Sequence, residues 1–214
     1  MTSARLLPTR VPKDPDAVVL VLHGGASRRD SPMVSPAQLS VLRMVPIAQR
    51  VARAGRGRLA VFRLLNSSRG WDTAHTPVDD VRWALGEVAD QLGGELPAGL
   101  VGHSLGGRAA LLAGGEPAVR SVVALNPWVY PTDAPQLAGR RVLVVHGTAD
   151  RIADPARAAA VVRRMARTTD VELVEVAGGR HAMLRHGAEF ERAAAEFVTE
   201  TLLETRPRPG GARP

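Results

Sequence analysis

The heptapeptide VGHSLGG, residues 101–107, places a serine between His103 and Leu105, with Gly102 before it and Gly106 and Gly107 after it. It closes the apolar run AGLVGH and precedes an alanine-rich stretch of helical pattern. At a strand-to-helix junction such a pattern has mechanical meaning. The bend forces the serine backbone into a strained conformation that lifts its hydroxyl above the sheet edge, and larger residues at the flanking glycines would collide. Amides opening the following helix aim at the same spot, where negative charge can be held. Ser104 is therefore a candidate nucleophile for acyl transfer.

A serine hydroxyl is unreactive at neutral pH and needs a base. Of the six histidines, His23, His103 and His146 stand at strand ends before glycine turns, where structural hydrogen bonding is expected. His75 lies in an exposed loop before a helix, and His186 opens the final helix with a surface role. His181, in GGRHAMLRHG after the last strand, is the expected base. For the carboxylate that orients it, HGTADRIAD offers Asp150, close to its strand end, and Asp154, which precedes Pro155 and reads as a helix cap. Asp133 in the loop after SVVALN competes, and Asp72 competes more weakly because it precedes the serine. The expected set is Ser104, Asp150 and His181, each just past a strand.

The elements that must position these groups are legible in the hydrophobic pattern. AVVLVL (17–22), RLAVFRLL (58–65), AGLVGH (98–103), SVVALN (121–126), RVLVVHG (141–147) and VELVEV (171–176) read as strands, several apolar throughout, as strands covered on both faces must be. Helical segments alternate with them: one ending near Ala54, then DDVRWALGEVADQL, PARAAAVVRRMART and AEFERAAAEFVTETLLE. Thr76-Pro77-Val78-Asp79 reads as an N-cap, a proline in the first turn and the acid of a capping box. Such alternation predicts a mostly parallel sheet with helices on both sides.

With these motifs together the chain resembles an α/β-hydrolase. The resemblance rests on HGG (23–25) after an early strand, GHSLGG (102–107), HGTAD (146–150) and GGRHAM (178–183), and runs from about Ala17 to Leu203. It implies a three-layer α/β sandwich of about six or seven strands with no cap domain. It also implies an oxyanion site made by the N–H of Gly25 or Ala26 with that of Leu105. The activity implied is that of a serine hydrolase acting on a carboxylic ester or thioester through an acyl-enzyme, with no metal and no cofactor. Two departures stand out. The short segment before AVVLVL leaves the early antiparallel hairpin of larger members reduced to one strand or lost, and the short interval between Asn126 and Arg140 indicates a site without a lid. Trp128 and Tyr130, with Arg69 and Trp71 of SSRGWD, are the candidate substrate-binding residues.

Composition bounds the remaining possibilities. A chain of 214 residues is expected to form one domain, here 1–205, with the Arg/Pro/Gly-rich tail 206–214 disordered. Cysteine is absent, which excludes thiolate chemistry and disulfides. No apolar run approaches the roughly 20 residues of a membrane span, and a cytoplasmic protein with no membrane partner is expected. The formal charge is +7, and Lys13 is the sole lysine among 28 basic residues. Aromatics make up only 3%, so no stacking platform for bases is visible and nucleic acid is not an expected partner. Arginines crowd the motifs at Arg28, Arg29, Arg69, Arg108, Arg151 and Arg180. General arginine abundance is the preferred explanation; a cationic rim recruiting a small anionic ester or thioester is the sharper one. A non-catalytic ligand-binding protein on the same scaffold is the rival from another class.

Overall fold

Alternation inside the apolar strands organises the molecule. In the computed structural model, which describes residues 4–25 and 34–204, every residue of Ala17–Leu22 is buried, although successive side chains point to opposite faces of the sheet. The strands are β1 (Arg5–Arg10), β2 (Ala17–Leu22), β3 (Leu59–Leu65), β4 (Ala98–His103), β5 (Val119–Leu125), β6 (Arg141–Gly147) and β7 (Asp170–Val176). They form one seven-stranded sheet in the order β1-β3-β2-β4-β5-β6-β7. All neighbours are parallel except β1, which runs antiparallel to β3. Among the described residues β1 is thus the one antiparallel strand, at the edge of the sheet.

The helices are α1 (Leu39–Leu42), α2 (Met44–Ala54), α3 (Thr76–Leu92), α4 (Leu105–Leu112), α5 (Pro155–Met165) and α6 (Gly187–Thr199), which continues as a π-helical turn, Glu200–Glu204. On one face Val18, Leu20, Leu22, Leu100, Val122 and Val144 pack against α3, α4 and α5. On the other, Val19, Val21, Val101, Val123, Leu143 and Val145 meet α2 and α6 through Met44, Val51, Phe190 and Phe197. The fold is a three-layer α/β sandwich. No helix among the described residues is long and apolar enough to cross a membrane.

Chain order fixes where a ligand can sit. From β2 the chain crosses to β3 on one side, then returns to place β4 on the other side of β2. The segments leaving the carboxyl ends of β2 and β4 therefore diverge and open a crevice at a topological switch point. Gly24 and Gly25 follow β2 there, and Ser104 follows β4.

One local expectation is corrected. Thr76 is not the cap of α3: it already lies in the helix, and His75 precedes it with a left-handed φ of 59°. Asp72 does the capping instead, accepting the Thr76 N–H at 2.8 Å and its hydroxyl. Asp79 turns outward to Arg82 at 2.9 Å rather than closing a capping box. A carboxylate placed one turn earlier offers two acceptors to the helix start, more than a threonine hydroxyl can. Asp154 does cap α5, accepting the Ala156 N–H at 2.9 Å. The tail 206–214 lies outside the described residues.

Phe190 is fully buried between α2 and the sheet. Phe190→Ala is expected to lower the unfolding free energy by about 3–5 kcal/mol in a urea titration. A loss below about 1 kcal/mol, typical of a surface change, would contradict its place in the core.

Candidate active site

Crowding at the end of β4 dictates the position of Ser104. Its backbone sits at φ 56° and ψ −118°, where residues with a side chain are rarely found. A Cβ on Gly102 would lie 2.1 Å from the Gly106 carbonyl oxygen, and one on Gly106 would lie 2.5 Å from that of His23. Only glycine fits either position. The strained serine is anchored by its own N–H donating to Leu125 O at 3.0 Å, and by its carbonyl accepting from Arg108 and Trp128, each at 3.1 Å. Strain of this kind costs of order 1–3 kcal/mol and persists only where the surroundings enforce it.

The structure brings all three expected residues together. His181 Nε2 lies 3.0 Å from Ser104 Oγ, and His181 Nδ1 lies 2.8 Å from Asp150 Oδ2. The other Asp150 oxygen accepts the N–H groups of Ile152 at 2.8 Å and Ala153 at 3.0 Å. Burial alone would raise this carboxyl. His146, with Nε2 3.6 Å from Oδ2, together with His181 and the two amides, outweighs burial and holds the group well below the usual carboxylate range. Asp150 is therefore an anion fixed on Nδ1, which leaves Nε2 free to accept from the serine hydroxyl.

Two glycines and an asparagine bring the histidine loop to this spot. A Cβ on Gly147 would lie 2.3 Å from Gly179 O, so the end of β6 and the turn after β7 touch backbone to backbone. Asn126 Nδ2 donates to the carbonyls of Arg180 and His181 at 3.2 and 3.3 Å, and its Oδ1 accepts the Gly147 N–H at 2.8 Å. His103 Nε2 donates to the His181 carbonyl at 2.8 Å. Asn126 is missed by sequence reasoning; its signal is its position one residue past the strand next to the serine. The other buried histidines bond structurally, as expected: His23 donates to Gly24 O at 2.6 Å and accepts the Asn66 N–H at 3.2 Å, and His146 donates to Ala153 O at 3.1 Å. Burial, with the neighbouring His181, takes the pKa of His103 down to about 3.

A cavity of about 890 Å³ opens over Ser104. Trp71, Trp128 and Tyr130 line it as expected, but Arg69 does not; its loop turns Trp71, Asp72 and Thr73 to the cavity instead. Arg108 lies under the aromatic wall, 4.1 Å from the Trp71 ring and 4.8 Å from the Tyr130 ring. Asp133 grips it through two bonds of 2.7 and 3.1 Å, which assigns the competing carboxylate to a buried ion pair and not to His181. Gly24, Gly25 and Leu105 also line the cavity. Ala26, Arg28 and Arg29 lie outside the described residues. Arg151 and Arg180 are exposed and line a separate hollow of about 220 Å³ that shares His181 and Ile152 with the main one.

No family model matches the sequence, and no curated protein matches it. Solved structures do. An α/β serine hydrolase without a lid from Xanthomonas campestris is 20% identical, with a TM-score of 0.68 over 95% of this chain and 90% of that one. An esterase from Pyrococcus furiosus superposes with a TM-score of 0.70 at 15% identity, over 89% of this chain and 85% of its own. A dienelactone hydrolase from Anabaena variabilis gives 0.66 at 21% identity, over 93% and 91%. The chain has the α/β-hydrolase fold, and its described residues form no cap domain. Within that fold it is the lidless form to which it is similar, since residues 126–140 between β5 and β6 hold neither helix nor strand.

His103 gives a pH test with a defined sign. Its proton is bound near the ordinary histidine value of 6.5 when unfolded but only near about 3 when folded, so stability is lost as pH falls from about 6.5 toward 3. Glutamine can keep a donor toward the His181 carbonyl without titrating. In His103→Gln the acid-side slope of unfolding free energy should flatten by up to about 1.4 kcal/mol per pH unit across that window, read from urea titrations at stepped pH. An unchanged slope would show that His103 already takes up its proton in the folded state.

Proposed function

We propose that this protein is a serine hydrolase that cleaves the carboxylic ester of a small substrate through an acyl-enzyme intermediate. The observation that carries the reading is the unbroken hydrogen-bond chain from Ser104 Oγ through His181 to the buried Asp150, with Ser104 and His181 lining the cavity. The esterases and serine hydrolases among the structural neighbours support it as analogies of fold.

In this reading Ser104 Oγ attacks the ester carbonyl while its proton passes to His181 Nε2. The carbon–oxygen double bond opens to a tetrahedral oxyanion, which takes hydrogen bonds from the amides near Gly25 and at Leu105; each such donor is worth about 2.7–4 kcal/mol of barrier. Asp150, ionised in its buried site, stabilises the imidazolium that forms and keeps its Nδ1–H in place. The imidazolium then protonates the departing alkoxide, the alcohol leaves and Ser104 stays acylated. Water attacks next with His181 again as base, releasing the acid and restoring the serine. A thioester follows the same course with a thiol as leaving group. The cavity, over which the described residues place no lid between β5 and β6, suits a soluble substrate rather than one taken from a lipid surface.

A fluorophosphonate probe tests the assignment. It should label the wild-type protein and leave Ser104→Ala unlabelled, and the variant's kcat on p-nitrophenyl esters should fall by a factor on the order of 10⁴ or more. Labelling that persists in Ser104→Ala refutes the nucleophile.

A further inference from the structure

The charges on the cavity wall are not all compensated. Arg108 is neutralised by Asp133 and sandwiched by aromatic rings. Asp72 caps α3, with both oxygens engaged by Thr76. The third charged wall residue is Arg43, at the joint between α1 and α2, and it faces the cavity with Gly25, Ser40 and His103. Its Nε is shielded from solvent and has no hydrogen-bond partner, and among the described residues no carboxylate pairs with its guanidinium. Burial lowers its pKa from the ordinary arginine value, and its positive field is felt at His103, whose ring centre lies 4.9 Å from that of His181.

A half-buried cation with an unmet donor is costly to hold, because desolvation is not repaid by a partner. That cost makes sense when a ligand completes the bonding. A guanidinium presents a planar fork of donors that matches the paired oxygens of a carboxylate or phosphate. Resting on the serine-hydrolase reading above, we propose that Arg43 is the specificity-determining residue of the cavity. It receives an oxyanion, carboxylate or phosphate, carried by the substrate apart from its scissile carbonyl. The natural substrate is then an ester with an acidic group on the portion that reaches past Gly25 toward α1 and α2. Among the described residues this narrows a diffuse cationic rim to one defined contact: Arg151 and Arg180 face another hollow, and Arg108 has no charge to spare.

The experiment compares p-nitrophenyl esters of equal length ending in a carboxylate, a phosphonate, a neutral methyl ester or a trimethylammonium group, in the wild type, Arg43→Met and Arg43→Lys. The wild type should favour at least one anionic ester over the neutral one by about 10–100-fold in kcat/KM, the range set by a charge-assisted hydrogen bond, and should disfavour the cationic one. Arg43→Met should bring the anionic-to-neutral ratio close to one, and Arg43→Lys should keep part of it. A benefit confined to the carboxylate or to the phosphonate identifies which oxyanion the site takes. A ratio that Arg43→Met leaves at its wild-type value overturns the proposal while leaving the hydrolase reading intact; absence of hydrolysis and of Ser104 labelling in the wild type sinks both. Should Arg43→Met fail to fold, as judged by circular dichroism, the wild type decides alone. Glutarate or inorganic phosphate at tens of millimolar should slow fluorophosphonate labelling relative to chloride of equal ionic strength, and equal rates overturn the proposal.

Discussion

Backbone crowding where β4 turns into α4 is the constraint from which the rest of the site follows. Ser104 can adopt its left-handed φ only because Gly102 and Gly106 let three backbone segments touch: the end of β4 at Gly102, the start of α4 at Gly106 and Gly107, and the end of β2 at Leu22 and His23. Gly24 takes part in the same contact, since a Cβ there would lie 3.0 Å from Ser104 Cβ. The serine hydroxyl, the first residues after β2 and the opening turn of α4 are therefore set as one rigid unit. The strain at one residue is offset by the many buried bonds around it.

Around this unit the polar groups divide by protonation state. His23, His103 and His146 are buried, and each makes a hydrogen bond that fixes a backbone segment. Burial drives His23 and His103 toward the neutral form, in which each donates to a backbone carbonyl. Asp150 is pushed the opposite way by its donors and stays charged in a site from which solvent is excluded. His181, more accessible than these, stands between the fixed anion and the serine. Its ring links the two side chains, and its carbonyl is tied down by His103 and Asn126.

The cavity wall shows the same economy with one exception. Trp71, Arg108, Tyr130 and Asp133 form a compact, internally neutral unit in which each charge and ring is used. Arg43 breaks that pattern, which is why it, and not the numerous arginines next to the motifs, carries the proposal about substrate charge.

Short windows of sequence determined six of the seven strands, the serine turn and the capping role of Asp154, because each depends on steric and hydrogen-bonding rules that act within a few residues; β1 (Arg5–Arg10), interrupted by Pro8 and only partly buried, carries no such signal. The buried, alternating strands likewise implied the mostly parallel sheet and placed Ser104, Asp150 and His181 at one edge. Thr76 was misread because the acceptor that caps α3, Asp72, lies a turn upstream in a loop of no regular pattern. Choices between distant partners were settled only by the tertiary structure: Asp150 meets His181 while Asp133 meets Arg108, although both carboxylates follow strand ends. The same holds for Asn126, which bridges the end of β6 and the histidine loop, and for Arg43, which no motif marks. Proximity in the chain says which residues share a turn. Which charges meet depends on how strands far apart in sequence are stacked side by side.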